Sequence, residues 1–124
     1  QRGDNMAWSF TSDRPVYLQI ADRIIKSVLS GEYQAGEQIP AVRQLALEAA
    51  VNPNTVQHAF AELENEGIII SKGTVGRYVT EDTQVVEICR KKVAEQLVKD
   101  FIENIGQLSI TTEQAIAMIE EAKK

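Results

Sequence analysis

The chain has 124 residues, 44% of them apolar and 25% charged, with a formal net charge of −5. That length holds one packed domain and a modest appendage, not two large domains. No apolar run approaches the ~18 residues of a membrane span, so no membrane partner is expected, and no secretory leader is visible. Cys89 is the sole cysteine, which forbids an intramolecular disulfide and fits a reducing cytoplasm. The acidic balance argues against indiscriminate attraction to nucleic acid.

Residues 1–14 read as a flexible lead-in. Met6 is a natural start and the run Gln1–Asn5 reads as a tag remnant, while Trp8 and Phe10 are expected to be pinned onto something. Pro15 then opens a helix, since proline suits the first helical turn. Val16, Ile20, Ile24 and Val28 recur at spacing four with Tyr17, Ala21, Ile25 and Leu29 beside them, one broad apolar face. Gly31 ends that helix. Gly36 lies in the following loop, and Gln38–Ile39 reads as a short strand that pairs further along the chain.

A short helix is expected over roughly Ala41–Ala50, burying Val42, Leu45, Ala46 and Ala49. The tight turn Val51–Asn52–Pro53 follows. Asn52 stands where an N-cap oxygen belongs, one residue before a proline at the first helical position. The next helix, roughly Asn54–Glu66, buries Val56, Ala59, Phe60 and Leu63, shows Asn54, Thr55, Gln57, His58 and Ala61 outward, and stops at Gly67. Ile68–Ile70 and Arg77–Thr80 read as two short strands around a loop with Gly73 and Gly76. Helix, turn, helix and hairpin form a winged helix-turn-helix, the layout that seats one helix in a DNA major groove and a β-loop on the flanking backbone.

The charge distribution suits that reading: between Gln38 and Ala61 the only charges are Arg43 and Glu48, while Glu62, Glu64 and Glu66 gather at the far end of the second helix. From about Thr83 a long amphipathic helix of about 22–24 residues is expected. Its stripe is Val86, Val93, Leu97, Phe101, Ile105 and Leu108, widened by Ile88, Cys89, Ala94, Val98 and Ile102. Gly106 loosens its end. Thr111 and Gln114 resemble a capping box for a last helix, Thr112–Lys123. The fold class is thus mainly α with a small β-hairpin, in the order lead-in 1–14, winged helix-turn-helix 15–80 and two-helix dimerisation extension 81–124.

The chain resembles the GntR family of bacterial transcription regulators. The residues that carry the resemblance are Pro15–Ile20, the run from Gly31 and Gly36 through Ile39-Pro40-Ala41-Val42-Arg43-Gln44-Leu45-Ala46, then Val51-Asn52-Pro53-Asn54-Thr55-Val56, and Glu62-Leu63 with Glu66-Gly67-Ile68-Ile69. Asn-Pro-Asn-Thr-Val and the short extension resemble the YtrA-type subfamily. That resemblance implies a homodimeric repressor, often encoded beside an ABC transporter that it controls. Two positions depart from the family pattern: Ala41 stands where a capping serine is common, and Pro53 and Gln57 stand where recognition-helix arginines are common.

Each candidate has a plainer alternative. Arg43 is expected to touch DNA, against a surface ion pair with Glu48 or Glu37. Asn52, Asn54 and Thr55 can bond phosphates or merely cap a helix. Gln57 and His58 can read base edges, glutamine matching adenine in particular, or form a solvated face. Lys72 and Arg77 can neutralise phosphates, with Gly73 and Gly76 letting the loop come close. No Gly-Lys-Ser/Thr sequence follows them, so a phosphate-cradling loop is set aside. Tyr78 is expected to pack under the wing. His58, the sole histidine, lies far in sequence from the only cysteine, so neither a metal site, a cofactor nor catalysis is expected. Cys89 reads as packing before it reads as a redox sensor.

The apolar stripe must be covered, by its own domain or by a second copy; the second copy is preferred, which predicts two recognition helices about one DNA turn apart and a palindromic site. The expectation is therefore a cytoplasmic transcription regulator, most simply a repressor. The rivals are a winged-helix module for protein contacts and the N-terminal part of a larger fused regulator. About 40 residues follow position 83, too few for a usual ligand cavity within one copy; no small-molecule effector is assigned.

Overall fold

A computed structural model describes residues 8–124; the proposed start at Met6 and the tag reading of Gln1–Asn5 lie outside the described residues. The element order is α1 (Val16–Leu29), α2 (Val42–Ala49), α3 (Pro53–Asn65), β1 (Ile69–Ser71), β2 (Arg77–Val79), α4 (Thr83–Gly106) and α5 (Thr112–Ala122). The chain divides into two compact units, the boundary falling inside α4 after Val86.

In the first unit the core is made where three helices and a hairpin meet. Ile20, Ala21, Ile24, Ile25 and Val28 come from α1, Leu45, Ala46 and Ala49 from α2, and Val56, Ala59, Phe60 and Leu63 from α3. Ile39, Ile68, Ile69 and Val79 close the core from the loops and strands. These are the positions that spacings of three and four place on one helical face. Val42, expected inside, is only half-buried. Pro15 stands one residue earlier than the first helical turn: its ψ of 140° is extended, and it caps α1 from outside.

Residues 8–14, where a flexible lead-in is expected, are fastened to α1. The Gln19 carboxamide donates to the carbonyls of Thr11 (2.9 Å) and Arg14 (2.8 Å), and its oxygen accepts from the Thr11 amide at 3.0 Å. Arg14 pairs with Asp22. The Arg23 guanidinium lies 4.2 Å from the Trp8 ring centroid, and Trp8 meets Phe10 at 6.4 Å.

β1 and β2 pair antiparallel, Ile69 with Val79, Ile70 with Tyr78 and Ser71 with Arg77. Gln38 adds a single bridge to Tyr78 in place of a full strand. The Ile39 amide donates to the Arg77 carbonyl, and the Val79 amide to that of Glu37, each at 2.9 Å.

The second unit is built differently. α4 contains no buried residue, and α5 buries only Ala115. The capping box exists as read: Gln114 N–H donates to the Thr111 hydroxyl at 3.1 Å, and the Gln114 side chain accepts from Thr111 N–H at 2.8 Å.

Candidate nucleic-acid interface

The turn between α2 and α3 is shaped by four residues. Ala50 takes the left-handed conformation (φ 58°) that ends α2. Val51 N–H then returns to the Ala46 carbonyl at 3.0 Å. Asn52 Oδ1 accepts from Asn54 N–H at 2.8 Å, the Asn52 carbonyl accepts from Thr55 N–H at 2.9 Å, and Pro53 needs no partner for an amide it lacks. The capping alternative therefore holds for the Asn52 oxygen. The side chains of Asn54 and Thr55 make no hydrogen bond among the described residues, which leaves their polar groups available at the first turn of α3.

On α3, Asn54, Gln57, His58 and Ala61 are exposed while Val56, Ala59, Phe60 and Leu63 are buried. A thirteen-residue helix is thus presented with one polar, nearly uncharged face.

Arg43 is exposed on the first turn of α2 and makes no ion pair among the described residues. Both carboxylates that could have held it are engaged elsewhere: Glu48 accepts from Gln44 at 3.2 Å and Glu37 from the Gln34 amide at 2.8 Å. A cation at a helix N-terminus gains nothing from the helix dipole. Ala41, before it, supplies no side-chain cap.

In the wing, residues Gly73–Val75 form a short 3-10 turn. Lys72 N–H donates to the Gly76 carbonyl at 2.9 Å. Gly76 has φ +130°, and a Cβ there would stand 2.5 Å from Gln38 Nε2, which donates to the Val75 carbonyl at 2.9 Å. The backbone conformation favours glycine at that position, and a Cβ there would also displace the end of the Gln38 side chain from the Val75 carbonyl. Lys72 Nζ lies 4.5 Å from the centroid of the half-buried Tyr78 ring, and Gly73 is open to solvent at the tip.

The two wing cations have different surroundings. Arg77 is turned onto α3: its Nε donates to Glu64 Oε2 at 2.8 Å, its Nη2 to Gln57 Oε1 at 3.3 Å, and its Cζ lies 4.8 Å from the Phe60 centroid. His58 is likewise held, its ring stacked on Tyr17 of α1 at 3.5 Å and 4°. Sequence reading did not find Tyr17, Gln38 or Glu64 as parts of this surface. Each acts across elements distant in sequence, where no local spacing carries a signal. No cluster of three or more metal-ligating side chains exists among the described residues, and none of their helices is long and apolar enough to cross a membrane.

A helix-turn-helix whose second helix presents a polar face, followed by a two-stranded wing, defines a winged-helix DNA-binding regulator. Residues 16–79 match the family of bacterial regulatory proteins, gntR family, and the chain belongs to that family. It is similar to the HTH-type transcriptional regulator YhcF of Bacillus subtilis, 32% identical over 86% of this chain and 88% of that one. It is also similar to the HTH-type transcriptional repressor YtrA of the same organism, 40% identical over 69% of this chain and 68% of that one. A solved GntR-family transcriptional regulator from Listeria monocytogenes superposes with a TM-score of 0.82 at 38% identity, over 90% and 98% of the two chains. The protein is accordingly a transcriptional regulator that binds DNA, not an enzyme.

Proposed function

We propose that the protein is a homodimeric repressor that binds a palindromic operator in the cytoplasm. The carrying observation is the solvent-exposed polar face of α3, together with Arg43, which has no ion pair among the described residues, and Lys72 of the wing loop. In this reading Asn54, Gln57 and His58 face base edges. Arg43, Thr55, Lys72 and the Asn52 side-chain nitrogen meet the backbone, and Gly73 lets the wing approach closely. The repressor role follows the similarity to the YtrA repressor. A neighbouring ABC transporter operon is the proposed target, as the subfamily resemblance implies.

The dimer is proposed to form through the second unit. Leu97, Val98, Phe101, Ile102, Leu108, Ile116 and Ile119 are all exposed there, more apolar surface than a small helical pair leaves in water without a partner. Val93 and Ile105, half-buried, extend the same stripe, and Val86, also half-buried and the last residue of the first unit, precedes it on α4.

The test is fluorescence anisotropy on DNA from upstream of the protein's own gene, at two salt concentrations. Tight binding that weakens with salt is expected. Arg43→Ala should weaken it further and make the logarithmic salt dependence shallower by about one phosphate contact. Wild-type binding no tighter than to scrambled DNA would remove the operator-binding role on that site.

A further inference from the structure

We propose that Arg77 is a positioning residue that sets the base preference of α3 by fixing the carboxamide of Gln57. This rests on the DNA-reading role of α3 given above. Arg77 leaves β2 and lies along Gln57, Phe60 and Glu64, three residues that helical spacing places on one stripe of α3. The Glu64 carboxylate holds Nε at 2.8 Å, and the guanidinium carbon lies 4.8 Å from the centroid of the Phe60 ring. Both members of the ion pair are largely shielded, with side-chain exposures of 27% and 31%. The arrangement therefore stands before DNA arrives.

Its consequence for Gln57 follows from donor and acceptor chemistry. A guanidinium carries five donors and no acceptor, so the carboxamide must offer it the oxygen, as it does at 3.3 Å. The amino end, with two donors and no acceptor, is left as the free end. An unrestrained glutamine can give both its nitrogen and its oxygen to adenine, accepting from N6 and donating to N7. The oxygen keeps a second lone pair, but Arg77 fixes its direction, so it can no longer turn freely to meet adenine N6 while the nitrogen meets N7. Guanine presents O6 and N7 side by side, two acceptors for two donors. The base opposite Gln57 is therefore guanine in preference to adenine. The paired charge of Glu64 also offsets Arg77 as a phosphate ligand, leaving that task to Arg43 and Lys72.

The experiment selects binding sites for the full chain from a random duplex library. Anisotropy is then measured on the selected site and on its single-base variants at two salt concentrations. Wild type, Gln57→Ala, Arg77→Ala, Arg77→Lys and Glu64→Gln are compared, each checked for its melting transition. Wild type should favour guanine over adenine about tenfold at one position per half-site. Arg77→Ala should lose that preference with an unchanged salt slope, and should add nothing at that position in a Gln57→Ala background.

Arg77→Lys keeps the charge but not the fork, and Glu64→Gln cannot remove a phosphate contact. Both should relax the same position, so the test survives if Arg77→Ala fails to fold. Uniform loss of affinity with preferences intact and a salt slope shallower by about one would make Arg77 a phosphate ligand and overturn the role. A wild-type preference for adenine at that position would overturn it as well. If the wild type enriches no sequence, the DNA-reading function falls and this role with it; an enriched site insensitive to Arg77 removes this role alone.

Discussion

The two units treat their apolar residues in opposite ways. In the first, Ile20, Leu45, Val56, Phe60, Leu63, Ile68 and Ile69 are buried almost without remainder. In the second, Ala115 is the one buried residue, and large side chains from Leu97 to Ile119 stand exposed. Both read as amphipathic helices in the sequence, so amphipathicity by itself does not say what covers an apolar face. The first unit closes its core with helices and strands of its own. The second has two helices and no third layer, which is why a second copy is proposed to complete it.

The strongest way to break this comparison is at the two phenylalanines. Phe60→Ala empties a fully buried site and is expected to cost about 3–5 kcal/mol of stability, read from the denaturant midpoint. Phe101→Ala, on a ring 40% exposed, should cost much less when protein is dilute. Equal losses at every concentration would show that the second unit owns a core after all. The next effect is on assembly. Leu97→Asp with Phe101→Asp should turn a sedimenting dimer into a monomer and lower operator affinity on the order of a hundredfold by removing bivalency. An unchanged sedimentation coefficient would move the interface elsewhere.

The smallest effects sharpen the comparison. Among the described residues, each unit holds one non-glycine residue in the left-handed region, Ala50 (φ 58°) and Ser109 (φ 61°). Ala50→Gly is expected to stabilise by about 0.5–1 kcal/mol, seen as a higher melting temperature. If the units melt as one, Ser109→Gly raises the same transition; if they melt separately, it leaves the first unit's transition unmoved. A fall in stability for Ala50→Gly would mean that added freedom in the unfolded chain outweighs relief at the turn.

Much of the fold was legible because its signals are local. Asn52-Pro53 marks a helix start whatever surrounds it, and Thr111 with Gln114 forms a capping box from residues three apart. The polar face of α3 and the apolar face beneath it follow from helical spacing. The long α4 was legible by the same rule, and its span matches the expected length. Gln38, in contrast, was read as part of a strand but serves as a single bridge and a hook under the wing tip.

Arg77 and Lys72, read alike as the two cations of the wing loop, differ in their surroundings because β2 carries one onto Glu64 and Gln57 while the other lies beside Tyr78. The stack of His58 on Tyr17 links residues 41 positions apart and is set by how α1 crosses α3. The sequence by itself therefore determined the family, the order of elements and the polar face of α3, since periodicity, caps and turn chemistry act over a few residues. Only the tertiary structure decided which of those side chains are free and which are already held. A hydrogen bond or a ring stack depends on distances between elements, and no spacing along the chain encodes those.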